Sequence, residues 1–409
     1  MKRARRNSPH AAAADATTTN GGSPYSDATK AAVQTTTARI HEMHQAIAGK
    51  TFTALAQIPF VAGPAAFVRM AHDAIAGGIY AAIHHGAEGT LNAAAAIERQ
   101  LPTADDDAPP GRIASGMRSV LNAAFGDHLA DSGNALAIPM GIHVDGRRIA
   151  LDSAALDAAF PGGGGKLALF IHGLAFDEHC WQASNEGEVD FGKRLQAQFG
   201  YTPLHLRYNT GLPIAENGAR LAELLETLLA AWPEQVSSLL LIGHSMGGLV
   251  ARNACEQAAA ADLYWPQATN MLICLGSPHL GSPVERLGQA TTRALQVSDV
   301  TAPLGTIAAA RSQGIKDLRF GPGASPLTPH DIALRFIGSS LTRDTEHPLA
   351  EWFGDGLVTL GSATEHPLTG NVRSTRLGGI AHMGLLTAPR VYGQIRRWLK
   401  EIEDGQETG

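Results

Sequence analysis

Cysteine is nearly absent from this chain: Cys180, Cys255 and Cys274 are the whole complement of 409 residues. That odd, small number excludes a disulfide framework, and no pair has the C-x-x-C spacing of a zinc site. Buried free thiols in a reducing compartment are the expectation, with Cys274 in the apolar run MLICLGS. Charge of one sign is scarce as well. The 32 basic and 38 acidic residues leave a net charge of −6, so no basic face points to a nucleic-acid partner. Long apolar runs are missing too. The basic start MKRARR is followed by alanine, threonine and asparagine, not by the roughly 7–15 apolar residues of a secretory signal. TFTALAQIPFVAGPAAFV is interrupted by Gln57, Pro59 and Pro64 and ends at Arg69. It falls short of the ~20 uninterrupted apolar residues that a spanning helix requires. A cytoplasmic location is therefore expected, with peripheral membrane contact through N-terminal helices as the alternative.

What is present is enough apolar material for a large core: 44% of the chain, which excludes wholesale disorder. The length suggests two domains, or one with extensions. Residues 1–29 read as a disordered tail. From about Lys30 to Leu101 the chain is alanine-rich, with Val33, Ile40, Met43 and Ile47, then Ala71, Ile75, Ile79 and Ile83, at helical spacing. PTADDDAPPG has the composition of a linker, and a helical N-terminal region is set at 30–134. The remainder, 135–409, opens on a hairpin whose turn is Asp145-Gly146.

Strand–helix alternation follows. KLALFIHG, PLHLRYN, SSLLLIG, MLICLGS and IALRFIGSS are apolar strand runs, separated by helical segments such as PIAENGARLAELLETLLAAW. That helix carries Leu221, Leu224, Leu225, Leu228 and Leu229 on one face. The pattern predicts an α/β fold with a mostly parallel sheet covered on both faces. The long stretch between the fourth and fifth strands, about residues 283–330, is the expected cap.

Two motifs fail on their spacing. The Gly-rich run before Lys166 precedes a strand and is followed by Leu167, so it is no phosphate loop; HEMH at 41–44 lacks the second histidine of HExxH. No metal or cofactor is expected.

One motif survives its context. Gly243-His244-Ser245-Met246-Gly247 fits G-x-S-x-G between an apolar strand and an apolar helix, the setting in which a sharp turn lifts a serine to the carboxyl end of a sheet. A hydroxyl needs a base to take its proton and a carboxylate to orient that base. Chain order gives Asp355 in FGDGLVTLGSA and His382 in GGIAHMGLL. Asp344 and Asp331 compete as acid, and His366 and His347 as base. The oxyanion donors expected are the amides of Met246, after the nucleophile, and Leu174, in the loop FIHGLAFDEHCW. Candidates for substrate contact are His172, Gly173 and His279, although His172 also reads as a loop anchor and His279 as structural. His244 reads as packing directed away from the site.

LFIHGL, GHSMGGLVAR, LGSPHLGS, DGLVTLGSA and HMGLL together resemble the lipases and esterases of the α/β-hydrolase superfamily, nearest to triacylglycerol-lipase-like and PGAP1-like inositol-deacylase-like proteins. The resemblance spans roughly Lys166 to Lys400. It implies an α/β-hydrolase fold and ester hydrolysis through an acyl-enzyme, with Ser245, Asp355 and His382 as triad and Leu174 and Met246 at the oxyanion. The expected substrate is a small-molecule ester or a lipid. An acyltransferase or thioesterase with the same triad is the first alternative, and an inactive binding protein on the fold the second. The missing signal peptide and calcium cluster, with the unmatched region before Ala135, depart from secreted lipases and favour an intracellular esterase.

Overall fold

Apolar strand runs become parallel strands here because each run serves two cores at once. The computed structural model describes residues 111–183, 185–281, 312–318, 332–364 and 370–407. The expected tail 1–29, the helices of 30–101 with their membrane-contact alternative, and most of the expected cap 283–330 lie outside the described residues.

The described chain begins with helix α1 (Arg112–Asp131). The hairpin strands β1 (Gly141–Val144) and β2 (Arg147–Arg148) follow, with Asp145 and Gly146 both at positive φ in the turn between them. Then come α2 (Ser153–Ala159), β3 (Lys166–Ile171), α3 (Phe191–Phe199), β4 (Thr202–Arg207), α4 (Ile214–Ala231) and β5 (Ser238–His244). After these run α5 (Met246–Ala260), β6 (Thr269–Leu275), α6 (Gln313–Asp317) and β7 (Ala333–Ser340). The chain closes with α7 (Pro348–Phe353), α8 (Leu360–Thr364), β8 (Val372–Gly378) and α9 (Pro389–Glu407).

The eight strands form one sheet in the order β2-β1-β4-β3-β5-β6-β7-β8. β1 is antiparallel to β2 and β4, and every pairing from β4 to β8 is parallel. Alternate residues of each central strand face opposite ways. Leu167, Leu169 and Ile171, with Leu239 and Leu241, join the leucines of α4 and the buried face of α5. Ala168, Phe170, Leu240 and Ile242 join Phe191 and Leu195 of α3 and Val391, Ile395 and Trp398 of α9. That double burial is why these runs lack a polar alternation. The result is the α/β-hydrolase fold.

The sequence reading missed α3, although its punctuation is visible: Asp190 accepts from the Lys193 amide at the start, and Gly200 at φ 72° ends it. α1 lies within the expected helical region 30–134, in the part between the linker and Ala135 for which no individual helix was expected. Among the described residues no helix is long and apolar enough to cross a membrane.

Leu241, fully buried in the central strand, provides the test of this core. Leu241→Ala is expected to cost about 2–5 kcal/mol, read as a lower denaturant midpoint at unchanged slope. An unmoved midpoint would contradict the assignment.

Candidate active site

β5 ends at His244 and α5 begins at Met246, so the whole change of direction falls on Ser245. Its backbone sits at φ 53°, ψ −123°, a conformation that costs a side-chain-bearing residue about 1–3 kcal/mol. The surroundings hold it there. The Ser245 amide donates to the Leu275 carbonyl of β6 at 2.8 Å, and the Gly248 amide donates back to the Ser245 carbonyl at 3.1 Å. The turn also presses against β3: a methyl group at Gly247 would lie 2.3 Å from the Ile171 oxygen and 2.5 Å from that of His172. The serine thus stands at the carboxyl end of the sheet, on the amino end of α5, where the helix dipole favours negative charge.

Asp355 lies just beyond α7, and His382 opens a short 3₁₀ turn (His382–Leu386) after β8. The two side chains meet, with His382 Nδ1 2.7 Å from Asp355 Oδ2 and both groups buried. The backbones are joined as well, the His382 amide donating to the Asp355 carbonyl at 3.1 Å. The other carboxylate oxygen, Oδ1, accepts from the Leu357 and Val358 amides at 3.1 and 2.9 Å, which fixes the carboxylate plane. A carboxylate against Nδ1 keeps a proton on that nitrogen and leaves Nε2 as the basic one. The pair sits over the end of β6: a methyl at Gly276 would be 3.1 Å from Asp355 Oδ2 and 3.2 Å from His382 Cε1. Ser245 Oγ makes no hydrogen bond to His382 in this arrangement. What brings the two residues to one place is the shared end of β6 and the contact of His244 with His382. Among the competitors, His347 caps α7 by accepting from the Leu349 amide, and Asp344 accepts from the Glu346 amide. Asp331 and His366 lie outside the described residues.

The loop after β3 runs directly beside Ser245. A methyl at Gly173 would stand 3.0 Å from Ser245 Cβ. Most of the neighbouring amides in this loop are engaged: Ala175 donates to Thr210 Oγ1 at 3.3 Å and Phe176 to the Gly173 carbonyl at 3.4 Å. The amides of Leu174 and Met246 have no acceptor among the described residues, as donors reserved for a substrate oxygen would. Ala175 reaches φ 65° without being glycine, so the loop is held against a local preference.

Two of the histidines take structural places, and His244 approaches His382. His172 is fully buried, stacked on Tyr208 with centroids 4.6 Å apart, and its Nδ1 lies 2.9 Å from the Gly173 carbonyl. It anchors the loop and has no surface for a substrate. His279 is also buried, with Nδ1 3.0 Å from the Arg252 guanidinium, its amide on the Ser362 carbonyl, and its ring edge-on to Phe336. It ties α5 to α8. His244 does not point away from the chemistry. Its ring lies 4.6 Å from the His382 ring, and its Nε2 is 3.1 Å from the His382 carbonyl. Burial, with His382 close by, pushes His244 well below the ordinary histidine value. A neutral ring facing a carbonyl must carry its proton on Nε2, so it donates to the His382 backbone. The adjacency of His244 to the nucleophile was visible in the sequence; its partner 138 residues away was not.

The model of the PGAP1-like alpha/beta domain matches residues 191–302, a span that contains Ser245 and ends before Asp355 and His382. No curated protein matches the sequence. Among solved structures, the chain is similar to the Bacillus licheniformis lipase BlEst2 in mature form, at 16% identity, covering 57% of this chain and 91% of that one with a TM-score of 0.39. It is similar to a thermophilic esterase from Thermogutta terrifontis, at 15% identity, covering 59% and 91% with a TM-score of 0.35. It is also similar to the RedJ thioesterase of the prodiginine pathway of Streptomyces coelicolor, at 14% identity, covering 57% and 91% with a TM-score of 0.35.

Two outcomes follow from this geometry. Gly247→Ala drives a methyl into two strand carbonyls, so the variant is expected to lose stability and Ser245 reactivity together, measured by thermal melting and active-site labelling. The second concerns acid. Burial pushes His143 and His172 down to about 4, and His244 also falls, whereas the unfolded chain titrates near ~6.5. The unfolded state therefore binds more protons between those values. The stability these rings contribute is complete above about 6.5 and is lost as pH falls towards about 4. Tm is expected to drop across that window, and less steeply in His143→Gln; a flat Tm would count against it.

Proposed function

We propose that this chain is a serine hydrolase of carboxylic esters that works through an acyl-enzyme. The observation that carries the reading is the buried Asp355–His382 contact at 2.7 Å, set beside a serine in a strained strand-to-helix turn. In the reaction Ser245 Oγ turns towards His382 Nε2, gives it the proton and attacks the ester carbonyl carbon. Asp355 stabilises the imidazolium that results. The carbonyl oxygen, now an oxyanion, is held by the amides of Leu174 and Met246. His382 then protonates the leaving alcohol, and the acyl group remains on Ser245 Oγ. Water, deprotonated by the same imidazole, attacks the acyl-enzyme and releases the acid. No step requires a metal or cofactor.

An acyl substrate with an apolar chain is supported by exposed apolar residues close in the chain to the site residues. Phe176 follows the oxyanion loop, Leu280 follows β6, and Trp352 and Phe353 precede Asp355; all four are exposed. Such surface favours CH₂ groups over water.

Ser245→Ala is expected to abolish turnover of p-nitrophenyl esters and fluorophosphonate labelling while leaving the circular dichroism spectrum intact. His382→Ala should lower kcat by roughly 10³-fold or more, as for other members of such triads. Undiminished turnover by Ser245→Ala would end the proposal. An added alcohol or thiol acceptor that captures most of the acyl group would reassign the protein as an acyltransferase.

A further inference from the structure

The loop that carries Leu174 is braced from outside the α/β core. Its continuation, Asp177-Glu178-His179, places three metal-capable side chains within 4.8 Å of one another, but all three are engaged by protein groups. Arg207, on β4, grips Glu178 with Nε at 2.6 Å and Nη2 at 2.5 Å, both residues being buried. Asp177 Oδ1 accepts from the His179 amide at 3.1 Å and faces His179 Nδ1 at 3.0 Å. Its other oxygen, Oδ2, accepts from Ser115 Oγ at 2.6 Å, again with both residues buried. Burial alone would raise the Asp177 carboxyl, yet hydrogen bonds from His179 and Ser115 hold it well below the ordinary range. Ser115 lies on α1, 62 residues upstream.

α1 reaches the same loop by a second route. It leaves helical geometry at Phe125 (φ −136°, ψ 17°), and the next residue, Gly126, offers its carbonyl to Asn209 Nδ2 at 2.8 Å. The approach there is tight. A methyl at Gly126 would overlap the Asn209 side chain, and one at Gly211 would come within 2.1 Å of the Asn122 carbonyl. The segment so clamped, residues 209–211, contains Thr210, whose Oγ1 accepts the Ala175 amide. The left-handed Ala175, one residue past the oxyanion donor, is therefore held on both sides by contacts that α1 makes or backs.

We infer that α1 is a built-in positioning element of the oxyanion hole, and that Ser115 is a positioning residue which fixes the Leu174 amide through Asp177. The inference rests on the ester-hydrolase reading. It gives a segment outside the strand–helix core a catalytic consequence: contacts aimed at the oxyanion act on the transition state and not on the bound ester.

The test uses the full chain and four variants with p-nitrophenyl butyrate. Ser115→Ala should lower kcat about tenfold, a fraction of the ~10²–10³ lost when an oxyanion donor is removed outright, with KM changed less than twofold. Its affinity for a trifluoromethyl ketone, which forms an oxyanion on the serine, should fall by the same factor. Ser115→Thr, which keeps the hydroxyl, should recover kcat. Thr210→Val should also lower kcat and ketone affinity, which keeps the test decisive if Ser115→Ala folds poorly. Tyr201→Phe removes the buried bond to Ser238 Oγ at the amino end of β5, the opposite end of that strand from Ser245, and should lower Tm with kcat intact. Wild-type kcat in Ser115→Ala, or equal loss of kcat in Ser115→Ala and Tyr201→Phe, would overturn the inference. An inert wild type would instead overturn the ester-hydrolase reading beneath it.

Discussion

One tight contact sets the geometry of everything near the site: the start of α5 lies against the end of β3 with no space for a methyl group between them. Gly247 faces the Ile171 and His172 carbonyls at distances that no Cβ could tolerate. Because the helix begins that close to the sheet, the residue before it cannot turn gradually, and Ser245 takes the full change of direction at φ 53°. The strain is offset by two backbone hydrogen bonds, one to β6 and one within the turn. The same closeness brings the loop after β3 beside Ser245. A rigid sheet edge converts packing into placement.

Around this point the molecule uses buried polar groups to hold loops. His172 locks onto the Gly173 carbonyl, His244 onto the backbone of His382, and His279 onto Arg252 and Ser362. Burial holds the His172 and His244 imidazoles below the ordinary histidine value, because charging a ring away from water costs more than its hydrogen bond contributes. Glu178 and Arg207 solve the opposite problem, being buried together with two hydrogen bonds between them. Removal of either partner would leave the other charge uncompensated, at about 3–5 kcal/mol. These ties are polar because loops expose backbone groups that an apolar core cannot satisfy. Their position, one layer behind the reacting atoms, lets a strained conformation at Ala175 persist.

The sheet and its helices were legible because their signals are local. KLALFI, SLLLIGH and TNMLICL are apolar on both faces, as strands buried twice must be, and the leucines of α4 repeat at helical spacing. The strand-to-helix turn at Ser245 was legible for the same reason: glycine, serine and glycine lie within five residues between a strand and a helix. Asp355 and His382 could be ranked only by chain order, and Asp344 and His347 were equally available in composition. The structure separates them by place, with His347 capping α7 and Asp344 in a turn. α3 was overlooked although Asp190 and Gly200 mark its ends, because its nine residues give too few turns for a clear periodicity.

Sequence alone determined the alternation of strand and helix and the serine placed at the carboxyl end of a central strand. Those properties depend on side-chain periodicity and on residues close together in the chain. Tertiary structure decided that Asp355 meets His382, that His244 reaches the backbone of His382, and that Ser115 touches Asp177. Each of those contacts joins residues 27 to 138 positions apart. Such a pairing has no local signature, because a serine or histidine looks the same in sequence whether its partner is water or a distant carboxylate. Only the closing of the sheet brings the partners within hydrogen-bonding distance.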